Sequence, residues 1–584
     1  MRRRLALLFA PLVVTGVVLA GCTAVTTSTA ESTTADTAVI ETTVTVDSDL
    51  AAEAVLAANE DYTTVNDDEW DAASAVDVTL SGSSASSSSD AVTIDGSTVT
   101  ITAAGVYRLS GDLAGSVVVA APDDALVVLI LDGATIENTS GAAIDVQTAD
   151  DVAIYLESGT TNAVSDASSY ADEAEANAAI YAATDLTISG DGTLTVDGNG
   201  NDGITSTDDL VILSGTIEVD AIDDGLRGKD ALVIEGGTVT VTAGGDGLKS
   251  DQDDDATRGY VLIADGTVQV TAGDDGIAAA TDAVVTGGTV TIEAGRGADA
   301  ALSADADPKG ITAGVVVALD EGTVNVDAAD DAVHSDGSVG IGGADVTLST
   351  GDDGIHAEQT VEIRSGEVTV TESYEGIEGA DIAISGGTVD VTASDDGLNA
   401  ASGSSSGGMG GGGMQNSGET LTISGGIVTI DADGDGLDSN GTIVISGGQT
   451  VVFGPTNSGN GALDSNGGIE VTGGTVLALG SSGMAETPDS TSSQSWVAAS
   501  VSGSAGTTVT ITDSSGTVLA EVTSPKQFET VVFSSADVAS GATYTFSTGS
   551  TTVSAQTGTA LSGGMGGGMG GGGMGGGGGG GQRP

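Results

Sequence analysis

Apolar and polar residues alternate along this chain in short runs, and the runs recur. From Gly354 the order is GIHA, a turn, TVEIR, a Ser-Gly turn, EVTVT and an acidic step into EGIE, which returns to the starting motif at Gly376. Gly203, Gly225 and Gly247 keep the same spacing, as do Ala332, Gly354 and Gly376, with Gly397 one position short of it. Gly276, Gly436 and Ala462 continue the series across longer gaps that read as loop excursions. A period of two predicts strands with every second side chain turned inward. Ile355, Ala357, Val361 and Ile363 then face in, while His356, Glu362 and Arg364 face out. One unit cannot bury its own apolar face, but stacked units can. The predicted fold is therefore all-β: a parallel β-helix with three short strands per coil of about 22 residues. An EF-hand array would need helices around each acidic loop, and here strands flank every Asp-Asp-Gly. The period is too long for nonapeptide calcium rolls.

The same pattern divides the chain. Residues 1–22 read as a signal sequence: Arg2 to Arg4, an apolar run, then Leu19-Ala20-Gly21-Cys22, which resembles a bacterial lipobox with lipidation expected on Cys22. Residues 23–75 are expected as a disordered tether, and 76–165 as an N-terminal cap with the opening coils. Residues 166–480 hold the regular coils, interrupted by a Gly/Ser/Met-rich loop at 402–417. GADAAL at Gly297–Leu302 reads as a degenerate coil without the Asp-Asp-Gly pattern. Residues 481–562 predict a small β-sandwich-like cap of five or six antiparallel strands, and 563–584 a Gly/Met-rich tail.

Composition narrows the function. Aromatic residues are 3% of the 584, and 92 are Gly, which suits a thin-cored, turn-rich solenoid. The net charge of −72 with only 13 Lys and Arg excludes a nucleic-acid partner. Cys22 is the only cysteine, so no disulfide forms within the chain. The expected address is the outer face of a bacterial cell membrane, reached by the lipid anchor alone, with the protein as a monomer.

One coil of repeat places equivalent residues about 4.8 Å apart. Asp223 and Asp224, Asp246, Asp274 and Asp275, Asp330 and Asp331, Asp352 and Asp353, and Asp395 and Asp396 then stack at one corner, continued by Asp431, Asp433 and Asp435. Carboxylates at that spacing repel by ~0.9 kcal/mol per pair in water and ~3.5 kcal/mol at an effective dielectric of 20. Bridging cations relieve this, and hard oxygen ligands point to Ca²⁺. The alternative is that Asp suits tight turns by accepting backbone hydrogen bonds. Two residues after each motif Gly an outward column forms: Arg227, Lys249, Ala278, His334, His356, Glu378, Asn399 and Asp438. This flat polar strip, basic at one end and acidic at the other, is a surface along which a polysaccharide can lie. The carbohydrate-binding candidates on it are Arg227, Lys249, His334, His356, Glu378 and Asn399.

The segments DDGLRGKDALVIEGGTVTVTAGGDGLKSD, DDAVHSDG, GDDGIHAE, SYEGIEG, DDGLNAA and GDGLDSNG resemble a bacterial family of calcium-binding, right-handed parallel β-helix carbohydrate-binding proteins, similar in structure to pectate lyases. The resemblance implies binding of cellulose and of acidic sugars such as polygalacturonate, with several calcium ions held by the motif aspartates. Two other classes stay open: a calcium-dependent lyase using a base from Arg227, Lys229 or Lys249, and an adhesin or stalk that calcium only stiffens. The even repeat and the absence of Gly-His-Gly and Arg-Ile-Lys signatures favour a binder over an enzyme.

Overall fold

Each strand of the repeat pairs in parallel with the strand three places later, so the chain winds as a three-faced, β-helix-like coil. The computed structural model describes residues 49–171, 174–303, 306–402, 416–549 and 551–561. The signal sequence, Cys22, most of the 402–417 loop and the Gly/Met tail lie outside them. On the first face, Leu226–Gly228, Leu248–Ser250, Ile277–Ala279, Ile311–Ala313, Val333–Ser335 and Ile355–Ile363 succeed one another in register. The second face stacks strands such as Asp209–Ile212 on Ala231–Ile234, and the third Thr216–Ala221 on Thr238–Ala243. Inward residues form columns: Leu226, Leu248, Ile277, Ile311, Val333, Ile355 and Ile377 are all buried. Branched aliphatic side chains suit such a pleated, stacked core.

The motif Gly has a packing cause. A Cβ on Gly225 would lie 2.2 Å from Val241 Cγ1 and 2.6 Å from the Gly247 carbonyl oxygen. Val241 belongs to Thr238–Ala243, the third-face strand of the same coil. Gly225 does not have a positive φ, so the close approach of this γ-methyl and carbonyl, rather than backbone conformation, leaves no room for a side chain there.

The parallel three-strand period runs from Gly105–Ala114 onward. Two sequence expectations change. Gly297–Leu302 is not a coil. It lies in a loop where Gly295, Arg296 and Gly297 all have positive φ, and the coil begins instead at Gly310, which precedes Ile311–Ala313. Pro308-Lys309 stands there in place of Asp-Asp, which hid the motif. Finally, residues 49–75 are not a loose tether. The helix Ala52–Ala58 buries Ala52 and Val55 with Leu50 against Val233, Leu262 and Val284 of the second face. Val65 packs with Val106, Val128 and Ile130 further back along the solenoid. Polar contacts tie this strap down: Asn59 donates to Asp282 at 2.8 Å, and Asp209 accepts the Thr63 N–H at 2.8 Å.

At the far end, Phe528–Ser534 pairs antiparallel with both Thr475–Gly480, the last third-face strand, and Trp496–Gly503. Val518–Thr523, Thr508–Thr512, Thr543–Thr548 and Thr551–Gln556 form a four-stranded antiparallel sheet. Val497, Ile511, Phe533 and Phe546 are buried between the two sheets. No helix among the described residues is long and apolar enough to cross a membrane.

Candidate functional site: an aspartate ladder and its outward strip

The Asp just before the motif Gly builds a ladder. Asp202 Oδ1 accepts the Asp224 N–H at 3.3 Å, Asp224 Oδ1 that of Asp246 at 3.0 Å, and Asp246 Oδ1 that of Asp275 at 3.1 Å. Asp275 serves Lys309 at 2.7 Å, Asp331 serves Asp353 at 3.0 Å, Asp353 serves Glu375 at 3.3 Å, and Asp396 serves Asp435 at 2.5 Å. One oxygen of each ladder carboxylate therefore satisfies a corner N–H that no strand pairing reaches. Coils are tied to their neighbours this way, with breaks where Lys309 and Glu375 take the place of the Asp. The backbone role and the chemical role belong to different oxygens of one side chain.

The other oxygen, Oδ2, faces the outward strip, which is stacked in direct register: Arg227 on Lys249, His334 on His356, His356 on Glu378, Glu378 on Asn399 and Asn399 on Asp438. Thr312 sits between Ala278 and His334, on the coil that the sequence pattern missed. At the basic end the second oxygens are taken. Lys249 Nζ lies 3.0 Å from Asp224 Oδ2 and 2.7 Å from Asp246 Oδ2, and Arg227 bonds Asp251 at 2.5 Å. Burial opposes the charge on Lys249, but the hydrogen bond to Asp246 and the charges of Asp246 and Asp224 outweigh it and raise its pKa.

In the middle, His334 Nδ1 is 2.9 Å and His356 Nδ1 3.8 Å from Asp331 Oδ2, with Asp353 Oδ2 3.4 Å from His356 Nδ1. Burial works against protonation of His334, yet its bonds to Asp331 and Asp336 push its pKa up to about 9. A cavity of about 290 Å³ opens beside it, lined by Asp274, Asp275, Asp307, Lys309, Thr312, His334 and Asp336. Asp330 is paired with Lys309 at 3.3 Å, while Asp223, Asp274 and Asp352 project from the corner more exposed.

At the acidic end no cation among the described residues answers the Oδ2 side of the ladder. Burial, then the charges of Asp396, Asp435 and Asp464, push Asp438 up to about 8. Burial first also raises Asp396 and Asp435, each to about 7. Glu375 and Glu378 are both raised, by burial before the neighbouring charges. Asn399, 8% exposed, donates to Glu375 at 2.7 Å but leaves its Oδ1 buried without a partner. Asp431 and Asp433 stand apart from this cluster: Lys526, from the C-terminal sheets, reaches them at 2.6 and 3.0 Å. No sequence spacing could show that contact, because it spans 93 residues.

Two features escaped the sequence reading. Tyr374 replaces an Asp at the corner, stands 48% exposed, and is hydrogen-bonded to Asp395. A second acidic ladder, Asp151, Asp185 and Asp209, opens the second-face strands in register, with Asp209 raised to about 7 chiefly by burial under the strap. Its signal was an Asp before each second run, as in DDVAIYL, TDLTIS and DDLVIL.

A family model described as carbohydrate-binding domain-containing protein matches residues 95–354. A carbohydrate-binding domain-containing protein of Acetivibrio thermocellus is 39% identical over 137 residues, 23% of this chain and 48% of that protein. The chain thus spans about half the length of the curated relative it matches. A solved structure, a gadolinium derivative of the polysaccharide lyase-like protein from C. thermocellum, is 30% identical with a TM-score of 0.36, covering 49% of this chain and 96% of that one.

Proposed function

We propose that this protein binds extracellular polysaccharide along the outward strip of its first face, with calcium at the acidic end, and that a lipid on Cys22 holds it at the cell surface. The observation that carries the reading is the carbohydrate-binding family model, which spans the strip from Arg227 through His334. The strip itself is flat, polar and evenly spaced, and the exposed Tyr374 ring beside it offers a face on which a sugar can stack. The leader pattern of residues 1–22 supports the anchor.

A hard cation fits one end of the strip and not the other. Asp396, Asn399 and Asp438 offer oxygen donors, one of them a buried amide oxygen that lacks any donor. That is the donor set calcium takes. Bound there, calcium would supply the positive charge that an acidic sugar needs on a surface of net charge −72. Asp224 and Asp246 have both oxygens engaged, one on backbone and one on Lys249, so the basic coils need no ion.

A binding role is favoured over a lyase because a lyase needs a neutral base beside the sugar. Of the three candidate bases, two are engaged: Lys249 is held protonated between two carboxylates, and Arg227 is paired with Asp251. Retention on cellulose, polygalacturonate, chitin and xylan, with and without chelator, tests the reading. Saturable retention on at least one supports it, and retention on none in the presence of calcium would refute it. Release of unsaturated uronides would transfer the assignment to a lyase.

A further inference from the structure

We propose that Asp331, His334 and His356 form a binding site for one divalent transition-metal ion of the zinc class, distinct from any calcium at the acidic end. Both histidines of the chain meet here because their strands stack in register, His334 directly on His356. The ring centroids are 5.0 Å apart with planes at 60°. Both rings turn Nδ1 to the same oxygen, Asp331 Oδ2, at 2.9 and 3.8 Å. One donor atom from each of the three residues lies within 4.8 Å of the others. A tetrahedral ion with bonds of ~2.0–2.1 Å needs its ligand atoms ~3.3 Å apart, so the observed distances bracket the requirement.

The surroundings support ligation. Asp331 Oδ1 is pinned by the Asp353 N–H at 3.0 Å, which fixes the direction of Oδ2. Each far ring nitrogen faces a carboxylate two residues on: His334 Nε2 is 3.3 Å from Asp336 Oδ1, and His356 Nε2 is 4.0 Å from Glu358 Oε1. At His334 that carboxylate is within hydrogen-bond reach, where it holds the proton on the far nitrogen and turns the other lone pair to a metal, the arrangement that orients ligating histidines, while Glu358 lies too far from His356 for a direct hydrogen bond. Asp353 Oδ2, 3.4 Å from His356 Nδ1, stands ready as a fourth donor. Two imidazoles with a carboxylate select zinc, cobalt, nickel or copper, whereas calcium takes oxygen donors. The competing account is that protonated rings merely neutralise Asp331 and Asp353, as Lys249 neutralises Asp224 and Asp246.

The test uses untagged full-length protein, stripped with chelator and titrated with Zn²⁺ in millimolar Ca²⁺. Because the chain has two histidines, histidine-labelled protein gives two imidazole signal sets. Both should move and saturate at one equivalent of zinc. By calorimetry, His334→Ala and His356→Ala should weaken zinc binding more than about 100-fold, and Asp336→Asn by ~10–100-fold. Folding of each variant is checked by circular dichroism. Imidazole signals unmoved by excess zinc would overturn the proposal, as would binding abolished by calcium or preserved in both histidine variants. The signal titration needs no variant, so a failure of any substitution to fold does not decide the matter.

Discussion

Lys249 and Asp438 occupy the same position on the same face of the same repeat, and their surroundings are opposite. Around both, ladder carboxylates give one oxygen to the backbone of the next coil. Around Lys249 the second oxygens close on an ammonium at 2.7 and 3.0 Å. Around Asp438 they meet further carboxylates and a buried amide oxygen without a donor. The ladder is thus a structural device common to both ends, and the outward residue decides whether its remaining charge is already answered. A column of aspartates is not by itself a column of metal sites.

The largest expected effect comes from turning the basic end into an acidic one. Lys249→Ala leaves Asp224 and Asp246 nearly buried and unpaired, and should cost about 2–3 kcal/mol, somewhat below the ~3–5 kcal/mol for breaking a fully buried pair. Thermal melting should fall by several degrees, and millimolar calcium should restore part of the loss in the variant while the basic coils of the parent protein show no such response. A variant that melts like the parent would mean the pair contributes nothing.

Next in size is the pH response of the acidic end. Asp396, Asp435 and Asp438 have folded pKa values raised to about 7, 7 and 8. A raised carboxyl pKa means the folded state holds protons that the unfolded state has released, so stability falls as pH rises from about 4 through about 8. In chelator, melting should drop across that window. With calcium present the drop should shrink, and in Asp438→Asn it should shrink without calcium. A flat profile in chelator would contradict the burial of this cluster.

The comparison also marks what was legible in the sequence. The strand period, the inward residues and the outward column could be read because alternation and an even repeat need only counting. Gly310 was missed because Pro308-Lys309 precedes it in place of Asp-Asp, although it stands one full repeat before Ala332. The strap over residues 49–75 was missed because its apolar residues, Leu50, Val55 and Val65, are sparse and have no period of their own. They are buried by the second face rather than by each other. The ion pairs of the candidate ligands were hidden for a similar reason. Spacing gives the position of Asp431 and Asp433, but not the Lys526 ammonium that arrives from the C-terminal sheets.

A smaller effect should come from Asn399→Leu, which removes the unpartnered oxygen together with the bond to Glu375. Calcium affinity at the acidic end should fall by about tenfold, equivalent to ~1.4 kcal/mol, while zinc binding at His334 and His356 stays as it was. Isothermal titration with each ion separates the two. The smallest effect is expected from deleting residues 403–415. Ser402 is bonded to Glu419 and Ser417 to Asn440 at the two ends of that loop, and melting and carbohydrate retention should be unchanged. Loss of folding would show that the loop belongs to the acidic coils.

The most direct test of the central claim is affinity electrophoresis through polygalacturonate, with and without calcium, for the parent protein and an Asp396→Asn, Asp438→Asn variant shown to be folded. The account predicts retardation of the parent that needs calcium and is lost in the variant. Equal retardation of both proteins, or retardation that survives exhaustive chelation, would contradict a calcium-bridged sugar at the acidic end of the strip.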